Sequence, residues 1–593
     1  MKEFFKMAFA TMTGMVMFTL LIVFISIICI MGMVASSEAT RDAEDNSVLV
    51  LNLSGTLQER SEEIPMIEQL MGSSGNQIGL DEILGAIKKA KENEKIKGIY
   101  IESGLFASDS WASLQSIRNA LSDFRKTGKW IVAYGDSYTQ ETYYLASVAN
   151  KVYMNPQGMI EWRGLAAEPV FLKDLLAKFG VSMQLAKVGK YKSAPEMFTE
   201  DKMSEPNREQ ISVYINGVWK NICKDVSESR KISIDSLNAY ADRLITFESQ
   251  PNLVKNKMVD KLIYTDEVRG EVKKLMKLNE EDKLHQLSVA DMINVKESKR
   301  DGGEIAVYYA YGDIVDEEGG SLFGSADHNI NAKEVCKDLE ELMNDDEVKA
   351  VVIRINSGGG SAYASEQIWR QVGLLNKKKP VVVSMGGYAA SGGYYISCAA
   401  PWIVAEPTTL TGSIGIFGMF PDVSGLLKDK LGVKFDEVKT NKNSSFGTKA
   451  RPFNPEEIAF LEKYIDRGYN LFRMRVAQGR KMSEKDVEAI AQGRVWSGED
   501  ALRIKLVDQL GGLDAAINKA AKLAKLSSHY SINYPAKKDF LDRLMNGSEG
   551  KNSYLDEQLR ITLGEFYRPM MILKDMQKHD VIQARLPYEL KVR

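Results

Sequence analysis

An internal repeat with a period of about 250 residues constrains this chain more than any other feature of its sequence. Residues 97–101 (KGIYI) resemble residues 349–353 (KAVVI) at an offset of 252 (349 − 97). Two later apolar runs end in Gly135 and Gly386, which are offset by 251 (386 − 135). Solenoid repeats are only about 20–50 residues long, so a period of this length indicates a duplicated domain. The sequence therefore predicts two tandem domains of one fold.

Each half alternates short apolar strands with helical patterns. The predicted strands are Val48–Leu53, Ile96–Ile101, Ile305–Tyr309, Val348–Ile355 and Val381–Ser384. Between them, apolar residues recur at helical spacing, namely Ile83, Ile87 and Ala90 in the first half and Val335, Leu339 and Leu342 in the second. This alternation predicts βαβ units with a largely parallel sheet, an α/β fold whose sites form where strands turn into helices.

The duplication also sets the predicted domain boundaries. We expect an N-terminal segment and anchor at 1–46, a first repeat at 47–266, a charged connecting segment at 267–303, a second repeat at 304–534 and a C-terminal extension at 535–593. The extension has no counterpart in the first half.

The N-terminal segment has the length and composition of a membrane anchor. No charged residue occurs from Met7 to Ser37, and crossing a bilayer takes about 20 apolar residues. Lys2 and Lys6 precede this run, so the positive-inside rule predicts one transmembrane helix with the body of the chain outside the cytoplasm. A cleaved signal peptide ending within 34–39 is the alternative, but its apolar region is normally only about 7–15 residues.

Charge and residue content exclude several other classes of protein. The 77 Lys and Arg residues nearly balance the 80 Asp and Glu residues, which argues against a protein that binds nucleic acid by neutralising phosphates. Four cysteines without C-x-x-C spacing cannot form a disulfide framework or a typical zinc site. No H-E-x-x-H motif or P-loop occurs. We therefore expect no nucleic-acid partner, no metal and no cofactor.

Two glycine-rich stretches follow strands of the second half, about 30 residues apart. The first, residues 354–361 (RINSGGGS), can present backbone N–H groups to an oxyanion. The second, residues 385–393 (MGGYAASGG), leaves Ser391 uncrowded at a predicted helix N-terminus. A flexible turn and a helix-capping serine are the alternatives for the two stretches taken singly. Together they predict a nucleophile beside an oxyanion hole.

The two stretches resemble those of a known peptidase family. Residues 355–361 (INSGGGS), 384–397 (SMGGYAASGGYYIS) and 410–415 (LTGSIG) are similar to the long type of the signal peptide peptidase A family. The duplication, the predicted anchor and the stretches 494–501 and 506–512 fit the same family. One departure is Gly358, where the family usually has proline. This glycine loosens the loop without removing an N–H group.

The resemblance implies a fold and an activity. The fold is crotonase-like and is shared with the proteolytic subunit of the caseinolytic (Clp) protease. The activity is that of a serine endopeptidase that digests signal peptides left in the membrane after preprotein processing. The family further implies a homotetramer in the bacterial cytoplasmic (inner) membrane, with its soluble domains on the periplasmic face. A crotonase-type acyl-CoA enzyme and a non-catalytic membrane scaffold are the alternatives.

The resemblance also assigns roles to individual residues. Ser391 would be the nucleophile, and the N–H of Gly392 with that of Gly359 or Gly360 would receive the oxyanion. Ser413 would orient the base.

The base itself is implied by residues 188–195 (VGKYKSAP), which resemble the motif that carries the catalytic lysine, here Lys192. The two halves lack complementary groups: Gln140 stands at the first-half position of Ser391, and Ser444 stands at the second-half position of Lys192. A solvated surface lysine is the alternative for Lys192, and Lys442 and Lys449 are alternative bases within the second half. A lysine acts as a base only when neutral, so burial must lower its pKa.

Overall fold

The computed structural model describes residues 2–37, 40, 42–61, 77–296, 301–316, 328–537 and 582–586. The helices, in chain order, are α1 (Lys2–Ser37), α2 (Leu80–Glu92), α3 (Trp111–Arg125), α4 (Gln140–Ala146), α5 (Lys173–Lys178), α6 (Glu196–Thr199), α7 (Glu205–Arg230), α8 (Ile234–Asp242), α9 (Gln250–Lys255), α10 (Thr265–Met276), α11 (Val289–Ile293), α12 (Ala332–Asn344), α13 (Ala362–Lys378), α14 (Gly392–Ser397), α15 (Pro455–Arg480), α16 (Glu484–Ile490), α17 (Gly498–Arg503) and α18 (Leu513–Leu523). Most of the predicted C-terminal extension, residues 538–581 and 587–593, lies outside the described residues.

The strands, in chain order, are β1 (Ser47–Gln58), β2 (Gln77–Gly79), β3 (Ile96–Ala107), β4 (Trp130–Gly135), β5 (Lys151–Met154), β6 (Ser182–Lys187), β7 (Lys261–Leu262), β8 (His285–Leu287), β9 (Gly303–Tyr311), β10 (Asp313–Val315), β11 (Asn329–Asn331), β12 (Val348–Ser357), β13 (Gly359–Ser361), β14 (Val381–Ala390), β15 (Ile403–Ala405), β16 (Leu410–Gly412), β17 (Phe417–Asp422), β18 (Val495–Ser497), β19 (Gln509–Leu510), β20 (His529–Tyr534) and β21 (Ile582–Arg585). All five predicted strands are confirmed.

Two of the sheets repeat one arrangement, as the duplication predicts. The first runs in the order β2-β1-β3-β4-β5-β7, with β8 paired to β1, and its strand pairs are all parallel. The second runs β18-β16-β14-β12-β9-β20, with β15 joining β14 to β19. Its central strands β9, β12 and β14 pair in parallel as β1, β3 and β4 do. The predicted α/β class is therefore confirmed.

The predicted helices form because their apolar residues lie on one face. In α2 the buried side chains are Leu80, Ile83, Ala86, Ile87 and Ala90. In α12 the same spacing buries Val335, Leu339 and Leu342, and the Asn331 side chain caps the first turn by accepting from the N–H groups of Lys333 and Glu334. Each fully buried aliphatic side chain contributes about 1.5–3 kcal/mol, so these faces fix the helices against their sheets.

The predicted connecting segment contributes structure to the first half. Strand β8 pairs with β1, with His285 opposite Ser47, and α11 packs against α2. Strand β20 takes the same place in the second half, with His529 opposite Gly303 of β9. Residues up to Leu287 thus form part of the first sheet.

A third sheet is built from both halves of the chain. Its order is β11-β10-β13-β21-β17-β6. Strand β6 of the first half lies antiparallel to β17 of the second, with Lys187 opposite Phe417 and Ser182 opposite Asp422. The loop that follows β6 is therefore carried against the second half, where the glycine-rich stretches lie.

The halves also share buried polar contacts. Arg354 of β12 forms an ion pair with Glu59, which follows β1, at 2.6 Å between Nε and Oε1, with both side chains at most 3% exposed. In a second contact between the halves, Ser116 donates to the buried Glu406 carboxylate at 2.8 Å. Because an unpaired buried charge is costly, these pairs fix one half against the other.

Helix α1 contains most of the predicted anchor. Its large apolar side chains that the structure describes, from Phe4 to Ile25, are exposed. The side chains of residues 26–37, among others, lie outside the described residues. Within the described part of the chain, no helix combines the length and hydrophobicity that a membrane crossing requires. The anchor stays a prediction.

Candidate active site

Ser391 lies at a sharp strand-to-helix turn. Strand β14 ends at Ala390 and α14 begins at Gly392, so Ser391 takes the N-cap position, with φ 55° and ψ −113°. A positive φ is costly for a residue other than glycine, about 1–3 kcal/mol. Its N–H donates to the Gly412 carbonyl at 2.8 Å, and its side chain makes no capping hydrogen bond. The helix-capping alternative for the hydroxyl is therefore wrong, and Oγ is directed elsewhere.

The hydroxyl of Ser391 meets the amine of Lys192. Lys192 Nζ lies 2.8 Å from Ser391 Oγ, 3.1 Å from Ser413 Oγ and 3.4 Å from the Ser413 carbonyl oxygen. All three side chains are fully buried. The structure thus brings together a lysine from the first half and two serines from the second, as the complementary halves predict.

Burial decides the protonation of this lysine. The side chain is enclosed beneath the Phe417 ring, whose centre is 5.9 Å from Nζ, and its hydrogen-bond partners are neutral oxygens of Ser391 and Ser413. Desolvation therefore holds the pKa of Lys192 well below its ordinary value. The surface alternative for Lys192 is wrong, and the amine is poised to be neutral and to accept a proton.

The alternative bases of the second half lie on the exposed surface. Lys442 forms an ion pair with Glu456 at 2.5 Å, with 74% of its side chain exposed. Lys449 is exposed, and so is Ser444, the second-half counterpart of Lys192. Neither lysine therefore has the buried setting that Lys192 has.

The glycine-rich loop lies directly beside the serine turn. Gly359 has φ 104° and Gly360 has φ 157°, which a residue with a side chain would adopt only with strain. A Cβ built on Gly359 would lie 2.8 Å from the Gly392 nitrogen, so these two predicted oxyanion donors are neighbours. The Gly359 N–H itself donates to Ser357 Oγ at 3.1 Å.

Three residues that sequence reasoning missed position the lysine. A Cβ built on Gly493, which has φ 78°, would come within 2.6 Å of Lys192 Cβ, and one on Gly415 within 3.2 Å of Lys192 Cδ. Gly493 therefore leaves no room for a side chain, and a side chain at Gly415 would require the lysine stem to shift by a few tenths of an ångström. Gln210 on α7 donates to the Tyr191 carbonyl at 3.1 Å and accepts from the Val495 N–H at 3.1 Å. Gly415 ends the recognised stretch 410–415 and Gly493 directly precedes the stretch 494–501, but neither stretch indicated a contact with Lys192.

A buried serine at a strand-to-helix turn, a glycine-rich loop beside it and an α/β fold define a hydrolytic enzyme of the serine class. Comparison with known proteins agrees. The sequence profile of Peptidase family S49 matches residues 123–279 and 374–527, once in each half. The Clp protease profile matches residues 302–403, which supports a ClpP-like fold in tandem copies.

Several known proteins resemble the chain, two of them over most of its length. Protease 4 of Salmonella typhi is 37% identical over 85% of this chain and 82% of its own. The chloroplastic serine protease SPPA of Arabidopsis thaliana is 32% identical over 81% of this chain and 69% of its own. A putative signal peptide peptidase SppA of Enterococcus faecium is 32% identical over 38% of this chain and 64% of its own. The chain therefore belongs to peptidase family S49, and it is a serine protease.

Proposed function

We propose that this serine protease digests signal peptides left in a membrane, with Ser391 as the nucleophile and Lys192 as its base. The observation that carries the catalytic part is the 2.8 Å contact between Lys192 Nζ and Ser391 Oγ inside a fully buried site. Family membership favours proteolysis over the acyl-CoA and scaffold alternatives.

The proposed mechanism follows from the neutral amine. Lys192 accepts the hydroxyl proton of Ser391, whose oxygen attacks the peptide carbonyl and forms an acyl-enzyme. The N–H of Gly392 and that of Gly360 stabilise the oxyanion, since the Gly359 N–H already donates to Ser357 Oγ, and one such donor is typically worth about 10²–10³ in rate. Lys192 passes the proton to the leaving amine and then activates the water that hydrolyses the ester. Ser413 Oγ, 3.1 Å from Nζ, keeps the amine directed at Ser391.

The proposed substrate and location rest on the N-terminal helix and on one relative. The described apolar side chains of α1 from Phe4 to Ile25 are exposed, as in a helix that lies in lipid, and Lys2 and Lys6 flank it on one side. We assign the chain to the bacterial inner membrane with its body on the periplasmic face. The name of the Enterococcus faecium relative supports signal peptides as substrates.

The four copies of the proposed homotetramer are what the family resemblance implies, and a strand pairing that one chain makes only once supports contact between copies. Strand β6 of the first half pairs with β17 of the second. At an offset of 251 their counterparts are residues 433–438 and 166–171, and neither stretch belongs to a strand among the described elements. In the first of these, Val438 is fully exposed and Phe435 is 42% exposed. Pairing of 433–438 with 166–171 of another copy would extend the arrangement around a ring.

The test uses the full chain reconstituted in lipid vesicles that carry a synthetic signal peptide. We expect the wild-type chain to fragment the peptide and Ser391→Ala to leave it intact. A parallel incubation with an acyl-CoA thioester is expected to show no turnover. Cleavage of a soluble unfolded protein with no cleavage of the membrane-embedded peptide would contradict the substrate, and hydrolysis by Ser391→Ala would contradict the nucleophile.

A further inference from the structure

A bulge lies between the two strands that lead into the active site. Strands β12 and β14 pair in parallel register as far as Ile355, and the pairing resumes at Ser357. In that interval β12 supplies a single residue, Asn356, whereas β14 supplies residues 386–388. Bulges of this kind occur next to active sites and change the direction of a strand. This one comes directly before the glycine-rich turn on β12 and shortly before Ser391 on β14, so it sets how these two parts of the site are aligned.

The side chain of Asn356 fills the bulge. Its Oδ1 accepts a hydrogen bond from the backbone N–H of Tyr388 at 3.0 Å, and a Cβ built on Gly386 would come within 2.9 Å of Asn356 Cβ. Asn356 precedes Gly360 by four residues, and Tyr388 precedes Ser391 by three residues. One side-chain amide therefore joins the strand that carries an oxyanion donor to the strand that carries the nucleophile.

The first half of the chain holds the other end of this amide. Asn356 Nδ2 donates to Asp109 Oδ2 at 2.8 Å, and the Tyr388 hydroxyl donates to the Asp109 carbonyl oxygen at 3.3 Å. The neighbouring Ser110 approaches β14 so closely that a Cβ built on Gly387 would collide with Ser110 Oγ. A hydrogen bond to a carboxylate is roughly twice as strong as one between neutral groups, so Asp109 fixes the orientation of the amide.

Asp109 belongs to the first-half counterpart of the glycine-rich loop. The helices that follow the two loops have Ser110 and Ser361 as N-caps, at an offset of 251 (361 − 110). At the same offset Asp109 stands where the second half has Gly360 (360 − 109 = 251). The first-half loop thus lacks the glycines and instead contacts Asn356, at the base of the loop that has them.

We propose that Asp109 is a positioning residue of the active site, which acts through Asn356 to align the oxyanion donors with Ser391. The inference rests on the proposed roles of Ser391 and Lys192. The first half then supplies both the base and the carboxylate that aligns the loop and the turn of the second half. A displacement of about 1 Å can lower a rate about 10²-fold, so Asp109 controls kcat without contacting the substrate.

Exchanging the two side chains tests the hydrogen bond itself, in the full chain and with a fluorogenic peptide. Asn356→Asp should lower kcat about 10²-fold at alkaline pH, because two ionised carboxylates then face each other. Adding Asp109→Asn places an amide donor opposite a carboxylate acceptor again and should return kcat nearly to the wild-type value. The KM for the peptide should stay unchanged. Asp123→Ala, which removes an exposed ion pair with Lys91 from the same helix α3, is the matched control and should leave kcat unchanged.

A pH profile distinguishes positioning from a general opening of the contact between the halves. Burial holds the pKa of Lys192 well below its ordinary value. Asp109→Ala should lower kcat about 10-fold, as the loss of a hydrogen bond to a charged group does, while activity rises with pH at the same point as in the wild-type chain. An opened contact would admit water to Lys192 and move that point to higher pH, and this outcome would overturn the positioning role.

The Ser391→Ala variant distinguishes this inference from the function on which it rests. If the wild-type chain is inactive, or if Ser391→Ala hydrolyses the peptide equally well, the roles of Ser391 and Lys192 fail. If only the wild-type chain is active, full activity of Asn356→Asp overturns the role of Asp109 alone, as does an exchanged pair that keeps the wild-type melting temperature without recovering kcat. Should the exchanged pair not fold, the kcat and pH profile of Asp109→Ala decide.

Discussion

The same turn holds a nucleophile in one half of the molecule and a structural amide in the other. In the second half, Ser391 directs its hydroxyl at a buried amine. In the first half, Gln140 stands at the equivalent turn. Its side-chain oxygen accepts hydrogen bonds from the backbone N–H groups of Arg163 and Gly164 at 3.0 and 3.2 Å. Its Nε2 donates to the Gly164 carbonyl at 3.0 Å. The Gln140 amide thus forms hydrogen bonds with the backbone that it faces, and this position carries no nucleophilic hydroxyl.

The lysine is kept in the first half and is absent from the equivalent position of the second half. Lys192 follows β6 of the first half, which pairs with β17 and carries the lysine into the second half. The counterpart Ser444 lies on an exposed segment. Duplication allowed each half to keep a single reactive side chain, because the shared sheet brings the two together. The comparison predicts that equivalent substitutions in the two halves have very unequal effects.

The largest difference in kcat is expected between the variants Ser391→Ala and Gln140→Ala. The first removes the nucleophile and should lower kcat by about 10⁴–10⁶. The second removes the hydrogen bonds of Gln140 with the backbone of Arg163 and Gly164, at a cost in stability of about 1–3 kcal/mol. Hydrolysis of a fluorogenic peptide at a temperature well below both melting transitions measures the two. A loss of kcat in Gln140→Ala comparable to that of Ser391→Ala would give the first half a reacting group of its own.

The second comparison sets Lys192→Met against Ser444→Ala. Methionine fills the space of the lysine stem but cannot accept a proton, so activity should fall about 10²–10⁴-fold, the usual contribution of a general base. The exposed Ser444 should tolerate alanine with unchanged activity. Activity that persists in Lys192→Met and disappears in Lys442→Ala or Lys449→Ala would move the base into the second half.

The buried amine also predicts a pH dependence of activity and of stability. Burial lowers the pKa of Lys192 well below its ordinary value. Activity should therefore rise with pH through that lowered pKa, because only the neutral amine is a base. Below about 10.4, the pKa in an unfolded chain, the unfolded state binds a proton that the folded state resists. The free energy of unfolding should thus rise with pH between the lowered pKa and about 10.4.

Lys192→Met removes this proton linkage and supplies the control. Its unfolding free energy should exceed that of the wild-type chain at pH 7, and the difference should shrink as the pH approaches about 10.4. Denaturant titrations at several pH values measure it. Parallel pH profiles for the two proteins would show that Lys192 keeps its ordinary pKa in the folded chain.

The sequence predicted the repeated elements well because their signals are local. Apolar alternation located β1, β3, β9, β12 and β14, and the glycines located the turn at Ser391. The third sheet could not be predicted, because pairing of β6 with β17 joins residues that are more than 200 positions apart. For the same reason the sequence did not indicate a role for Gly493. A side chain at this position would collide with Lys192, which is about 300 positions away in the sequence.

Breaking the buried ion pair between Arg354 and Glu59, which joins the two halves, should have a smaller but measurable effect on the free energy of unfolding. Arg354→Ala leaves the Glu59 carboxylate buried without its partner, and breaking such a pair costs about 3–5 kcal/mol. Replacing both residues at once, with Arg354→Met and Glu59→Leu, should recover most of that loss. Urea unfolding measures both variants. Lys442→Ala, which removes the exposed pair with Glu456, is the control and should leave the midpoint nearly unchanged.

Arg354→Ala also tests whether the two halves unfold together. If the halves depend on each other, the variant should unfold in one transition at a lower urea concentration. Two separated transitions, of which only one shifts, would show that the halves are stable alone and that the buried pair only aligns them.

The smallest effect is expected at Gly358, in the glycine loop that the first half lacks. Gly358 does not have a positive φ, and a Cβ built there meets Leu586 at an ordinary 3.4 Å. Gly358→Ala should therefore raise the free energy of unfolding by about 0.4–1 kcal/mol, because alanine restricts the unfolded chain, and should leave kcat unchanged. Gly359→Ala is the contrast, since φ 104° and a contact of 2.8 Å with the Gly392 nitrogen leave no room for a side chain. Equal tolerance of alanine at both positions, measured by unfolding and by peptide hydrolysis, would contradict the close approach of the loop to the serine turn.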